Sequence, residues 1–242
     1  MLTETVAARL DARLAPDVDW PVALALSGGG DSVALLALAA DWARARGRRL
    51  LALTVDHGLN PDSADWTRRA GETARALGVD WRALRWDQPQ GGAGVQARAR
   101  AARHALIAEA ARAAGAKVVL FAHTADDVHE ADWMRARGST LGRVREWAPS
   151  PAWPEGRGLM LLRPLLDVSR ATLRTFLTDR GLDWIEDPAN GDPAYGRSRA
   201  RAALTALPLD GGGLGGGDAA RRVPPTFNVI RPASHPHPRP FP

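Results

Sequence analysis

Short unbroken apolar runs and longer periodic ones take turns along this chain. Val22 to Leu26, Leu50 to Val55, Lys117 to Phe121 and Leu159 to Leu162 have the length and composition of buried strands, and Trp81 to Trp86 reads as a further short one. Between them the apolar positions recur at helical spacing. Leu2 to Leu14 forms an amphipathic helix ended by Pro16, and a second helix starts after Asp31 and closes near Gly47. Asn60-Pro61-Asp62 opens a third through a turn and cap, and a long helix runs from Val95 to Ala114 behind the turn Gly91-Gly92-Ala93-Gly94. Another helix continues through Glu130 to about Arg137, and Ser169 caps an amphipathic one that reaches Arg180. Pro149, Pro151 and Pro154 mark an irregular connection, Trp184 to Pro188 is extended, and a basic helix spans Gly196 to Leu207. Strand and helix alternating at this spacing predict an α/β fold, a parallel sheet with helices on both faces.

The organisation ends near residue 207. Gly211 to Gly217 reads as a flexible linker, and His235-Pro236-His237-Pro238 belongs to a proline-rich, aperiodic stretch that cannot bury a core. The expected division is therefore a domain over 1–207 and a disordered Gly/Pro-rich tail over 208–242.

Composition narrows the chemistry. The chain has 242 residues and no cysteine, which excludes disulfides, thiolate metal sites, iron–sulfur clusters and a thiol or persulfide nucleophile on this chain. No apolar run has the length of a membrane span, and the acid-bearing stretch Met1 to Leu14 is unlike a secretory signal, so a cytoplasmic location with no membrane partner is the expectation. A net charge of +5 suits a polyanionic partner such as RNA. With Lys117 the sole lysine, an arginine- and alanine-rich codon bias explains the same charge equally well.

The candidate chemistry sits where strands end. Ser27-Gly28-Gly29-Gly30-Asp31-Ser32 joins a strand to a helix, and its glycines and the helix N-terminus suit a phosphate. The usual phosphate loop has a lysine after its last glycine; here Asp31 would repel phosphate unless a cation stood between them, so it predicts magnesium. The glycines alone fit an ordinary turn capped by Asp31. Two more polar clusters, Asp56-His57 and His123 to Asp127, also close strands. In parallel sheets ligands lie at the carboxyl ends, so convergence of all three on one rim is the test of an active site. His123, Asp126, Asp127 and Glu130 are spaced to share one face of a helix start, which could hold ammonium groups or a metal, or serve the helix dipole alone.

The loop resembles that of the N-type ATP pyrophosphatases, and the three clusters in order resemble the tRNA(Ile)-lysidine synthetases. Their Ser-Gly-Gly-x-Asp-Ser, Asp-His-Gly-Leu and His-x-x-Asp-Asp-x-x-Glu segments match residues 27–32, 56–59 and 123–130. The resemblance extends to Arg100 and Arg103 in the long helix, Leu162-Arg163-Pro164-Leu165-Leu166, and Glu186-Asp187-Pro188-Ala189-Asn190 followed by Arg197 and Arg201. It covers residues 20 to about 205.

The resemblance implies that ATP adenylates the C2 oxygen of cytidine at the first anticodon position of an isoleucine tRNA with a CAU anticodon. L-lysine then displaces AMP and leaves lysidine. On this reading Ser27, Gly28, Gly29, Gly30, Asp31 and Ser32 bind ATP, with Asp56 and His57 near adenine. Asp31 and Asp126 hold Mg2+; Asp127, Glu130 and His123 bind lysine; Arg100 and Arg197 join Asp31 and Asp127 as catalytic residues, steadying the α-phosphate or the adenylated intermediate. Each arginine could equally be a surface one.

Three positions depart from the family pattern: Ala131 where threonine is usual, His104 where tyrosine is common, and Ser198 where asparagine is expected. The family also carries carboxyl-terminal tRNA-gripping domains, and residues 208–242 do not read as one. The expectation is tRNA held by the catalytic domain alone or with a partner's help, or an activity that has drifted. A homodimer is left open. The rival readings are an ATP-dependent amidating enzyme of the same superfamily acting on a small carboxylate, and a non-catalytic nucleotide- or RNA-binding remnant. Related tRNA thiolases need cysteines that this chain lacks.

Overall fold

A computed structural model describes residues 1–87, 94–140, 142–187 and 196–205, without the side chains of residues 96, 196, 197 and 205. The apolar runs become β1 (Val22–Ala25), β2 (Leu50–Asp56), β3 (Asp80–Arg85), β4 (Val118–Leu120), β5 (Trp147–Pro149) and β6 (Met160–Leu162). They form one sheet in the order β3-β2-β1-β4-β6-β5, parallel throughout except for β5, which runs antiparallel to β6. The helices are α1 (Leu2–Arg13), α2 (Gly30–Arg46), α3 (Ser63–Ala76), α4 (Val95–Ala113), α5 (Ala125–Arg135), α6 (Arg170–Asp179) and α7 (Gly196–Thr205). No described helix is long and apolar enough to cross a membrane.

Strand alternation sorts the core onto two faces. Val22, Leu24, Leu50, Ala52, Val118, Leu120 and Leu162 pack with apolar residues of α1, α2, α3 and α6. Ala23, Leu51, Leu53, Val119 and Leu161 point the other way, against Ile107, Ala108 and Ala111 of α4. Helix α2 lies between the sheet and α1 and α6, so Ser32 to Ala40 are buried all round. That is why its apolar residues form a nearly continuous run and not a stripe.

The topology selects the site. The chain steps from β1 to β2 to β3 in one direction and then places β4 on the other side of β1. The strand order reverses between β1 and β4, which opens a crevice at their carboxyl ends. The loops after β1 and β4 carry the first and third polar clusters.

One element was not expected. Trp147–Pro149 pairs with Leu162–Met160 inside the stretch read as an irregular connection. Three residues carry no measurable period, and Pro149 argues against a strand unless that strand lies at a sheet edge, as β5 does. The turn residues Gly91, Gly92 and Ala93, the segment Pro188 to Asn190, the side chain of Arg197 and the tail from 206 onward lie outside the described residues.

Candidate functional site

The loop after β1 is braced from within. Gly29 is the N-cap of α2, and its carbonyl accepts from the Ser32 and Val33 amides, both at 3.0 Å. The buried Ser32 hydroxyl donates to the same carbonyl at 2.8 Å and accepts from the Ser27 amide at 3.2 Å. With its proton spent there, the 3.1 Å contact between the two hydroxyls has Ser27 as donor. Gly28 and Gly30 are buried, whereas Ser27 is exposed and Gly29 half-buried, so these two form the accessible lip.

The extended segment after α6 straps this loop. Ile185 donates its amide to the Gly28 carbonyl at 2.9 Å and forms a parallel bridge with Gly29. A Cβ at Gly28, where φ is +84°, would lie 2.5 Å from Ile185 Cδ1. A Cβ at Gly30 would meet the Arg174 guanidinium at 2.1 Å. At Gly29 the nearest atoms are the Ser27 hydroxyl at 3.6 Å and the Ile185 carbonyl at 3.9 Å. The positive φ makes Gly28 a requirement of the fold, a side chain at Gly30 would displace the Arg174 guanidinium, and Gly29 is left with room for a ligand.

The acidic cluster after β4 is drawn to this loop by a residue the sequence reading did not single out. Arg170, the first residue of α6, donates from Nε to Asp31 Oδ2 at 3.1 Å, from Nη1 to Glu130 Oε1 at 2.6 Å and from Nη2 to Asp127 Oδ1 at 2.9 Å. Its backbone amide, one of the α6 donors with no partner inside that helix, bonds Asp126 Oδ2 at 2.8 Å. Arg201 of α7 adds a second cation to Glu130, Nε to Oε1 at 3.0 Å. Glu130 is only 2% exposed, and a carboxylate buried without such partners would oppose folding. The only sequence signal for Arg170 was its place next to the cap Ser169, where a helix dipole disfavours a cation.

Helix α5 begins later than the four-residue face requires. Thr124 is its N-cap, and the Asp127 carboxylate accepts from the Thr124 amide at 2.9 Å and hydroxyl at 3.0 Å. Asp126, Asp127 and Glu130 therefore sit on the helix and His123 precedes it. His123 Nδ1 accepts from Arg163 Nε at 3.2 Å, and its ring stacks on Phe121. His104 stacks on the same phenylalanine at 5.5 Å between centroids, and His57 Nε2 accepts from Arg103 Nε at 3.3 Å. His123 thus joins a histidine–arginine group on the α4 side of the rim, next to which Arg100 stands exposed.

Environment sets the charge states. Burial pushes the Asp31 carboxyl up from its ordinary value; Arg170 opposes the rise and the neighbouring Asp127 adds to it. Burial works against the Arg170 charge, yet its carboxylate partners raise its pKa further. Burial first, and Arg103 second, lower His57 to about 4. His104 is likewise lowered to about 4, by burial and then by Arg100, Arg103 and Arg163. These rings are neutral at physiological pH, able to stack and accept hydrogen bonds beside permanently charged arginines.

A PP-loop domain model matches residues 2–207. The tRNA(Ile)-lysidine synthase of Caulobacter vibrioides is 52% identical over 209 residues, covering 86% of this chain and 51% of that protein. The enzymes of the same name from Hyphomonas neptunium and Bradyrhizobium sp. are each 44% identical, over 77% and 85% of this chain and 51% and 58% of their own lengths. The chain spans about half the length of the curated relatives it matches. Two solved structures share the fold: the U34-tRNA thiolase NcsA from Methanococcus maripaludis, with a TM-score of 0.67, 17% identity and coverage of 84% of this chain and 72% of that one, and the NMN synthetase from Francisella tularensis, with 0.54, 12%, 86% and 87%. A glycine loop at the β1–α2 junction, the reversal of strand order beside it and the match over nearly all of the described chain lead to one conclusion: the chain belongs to the PP-loop domain family.

Proposed function

We propose that residues 1–207 activate the C2 oxygen of cytidine in the CAU anticodon of an isoleucine tRNA with ATP, and then join lysine to the activated carbon. The C2 oxygen attacks the α-phosphorus, pyrophosphate leaves, and an amine of lysine displaces AMP. One observation carries the reading. The glycine loop, through Asp31, and the acidic helix start, through Asp127 and Glu130, share a single guanidinium, Arg170, which supports a reaction that uses a polyphosphate and an amine side by side.

The roles follow the chemistry of each group. The opening turn of α2, with Gly28, Gly29, Gly30 and the Ser27 hydroxyl, faces the polyphosphate; Ser32 braces the turn from inside. Asp31 suits magnesium, because its Oδ1 is buried with no hydrogen-bond partner. Phosphate oxygens and water would supply the ligands that protein carboxylates do not. When bound, magnesium would offset charge on the departing pyrophosphate. Asp126 is the second candidate ligand, although one of its oxygens holds the α6 amide. Asp56 and His57 flank adenine. Asp127 and Glu130 receive lysine, His123 borders them from the histidine–arginine group, and Arg100 and Arg197 would steady the α-phosphate or the adenylated intermediate.

Incubating the protein with ATP, magnesium, labelled lysine and isoleucine tRNA bearing a CAU anticodon should yield labelled RNA together with AMP. AMP formation with a small carboxylic acid and no RNA would refute this reading in favour of an amidating enzyme. Formation of neither would mark a binding remnant.

A further inference from the structure

We propose that Arg170 is a positioning residue that couples the nucleotide half of this site to the amine half, a role that rests on the proposed reaction. The guanidinium spends its three nitrogens on three carboxylates, taking one oxygen from each: Asp31 Oδ2, Asp127 Oδ1 and Glu130 Oε1. The second oxygen of Asp127 is committed to the Thr124 cap. The second oxygens of Asp31 and Glu130 are buried and have no hydrogen-bond partner.

A cluster built only to hold the fold would satisfy those atoms, because a buried unpaired carboxylate oxygen opposes folding. Here Arg170 is the donor common to both carboxylates, Arg201 adds a second hold on the same Glu130 oxygen, and one oxygen of each carboxylate is left for a cation. Arg170 is itself fixed from behind, since its amide holds Asp126 and its helix packs on α2. Lysine could not replace it, having a single charged centre where the planar guanidinium reaches three ways.

Coupling follows from the shared donor. A cation at Glu130 draws that carboxylate from Arg170 and alters the hold on Asp31; magnesium at Asp31 has the reverse effect. Linkage requires the two influences to be equal.

The test is the magnesium concentration that half-saturates ATP binding, measured by calorimetry on the full chain, with thermal melting of each protein. Glu130→Gln should shift that concentration by about fivefold when Arg170 is present and by less than about twofold in the Arg170→Met background. Arg170→Lys should behave like Arg170→Met, and it carries the comparison should the methionine variant not fold. Equal shifts in both backgrounds, or none in either with melting unchanged, would overturn the role of Arg170. Wild-type protein that fails to attach lysine would overturn the proposed function alone, because the coupling is read from ATP and magnesium without lysine or RNA.

Discussion

His104 offers a quantitative test of how the rim is held. Its ring stacks on Phe121 under three arginines, and its pKa falls from 6.5 to about 4. The folded state therefore favours the neutral ring. Above pH 6.5 the ring is neutral in both states and the stabilisation is whole; as pH falls toward 4 only the unfolded chain takes up the proton, and stability drains away. At about 1.36 kcal/mol per pH unit the ceiling is roughly 3.4 kcal/mol, and partial exposure of the ring reduces it to about 2 kcal/mol. His57, lowered to the same value, adds a comparable loss in the same window. Together they would remove about 4 kcal/mol, a large share of an ordinary domain's 5–15 kcal/mol. His104→Phe keeps the stacked ring and removes the proton. Urea unfolding at pH 7.5, 6.5, 5.5 and 4.5 should show the variant losing about half as much stability as wild type between the extremes, which corresponds to a melting point about 4–8 °C higher than expected at the acid end. Identical pH slopes in the two proteins would refute the neutral-ring argument.

Two further substitutions separate fold from chemistry. Because burial raises the Asp31 pKa, its ionised form opposes folding above that value, so Asp31→Asn should melt at or above the wild-type temperature at pH 7.5, with the difference shrinking toward pH 3.5, while losing pyrophosphate release; a clear loss of stability at pH 7.5 would contradict it. Gly28→Ala should cost about 1–2 kcal/mol from its positive φ alone, whereas Gly29→Ala should cost at most about 1 kcal/mol and yet weaken ATP binding at least tenfold, as equilibrium dialysis would measure. Full ATP affinity in a folded Gly29→Ala protein would remove Gly29 from the phosphate cradle.

Local chemistry was legible in the residues themselves. Strand runs, helix periods, the cap at Ser169 and the glycine loop with its aspartate depend on neighbours a few positions apart, and each is found where the pattern put it. Even so, local pattern misplaced His123, because the Thr124 cap starts α5 one residue beyond it, and it missed β5, too short to carry a period. Only the tertiary structure set β1 beside β4, laid Ile185 across the glycines and brought Arg170 to Asp31, 139 positions away. Nothing in a short window distinguishes that arginine from the many on the surface. Its role comes from burial beside carboxylates supplied by distant elements, and that is decided by how the sheet orders its strands and how α6 docks on α2.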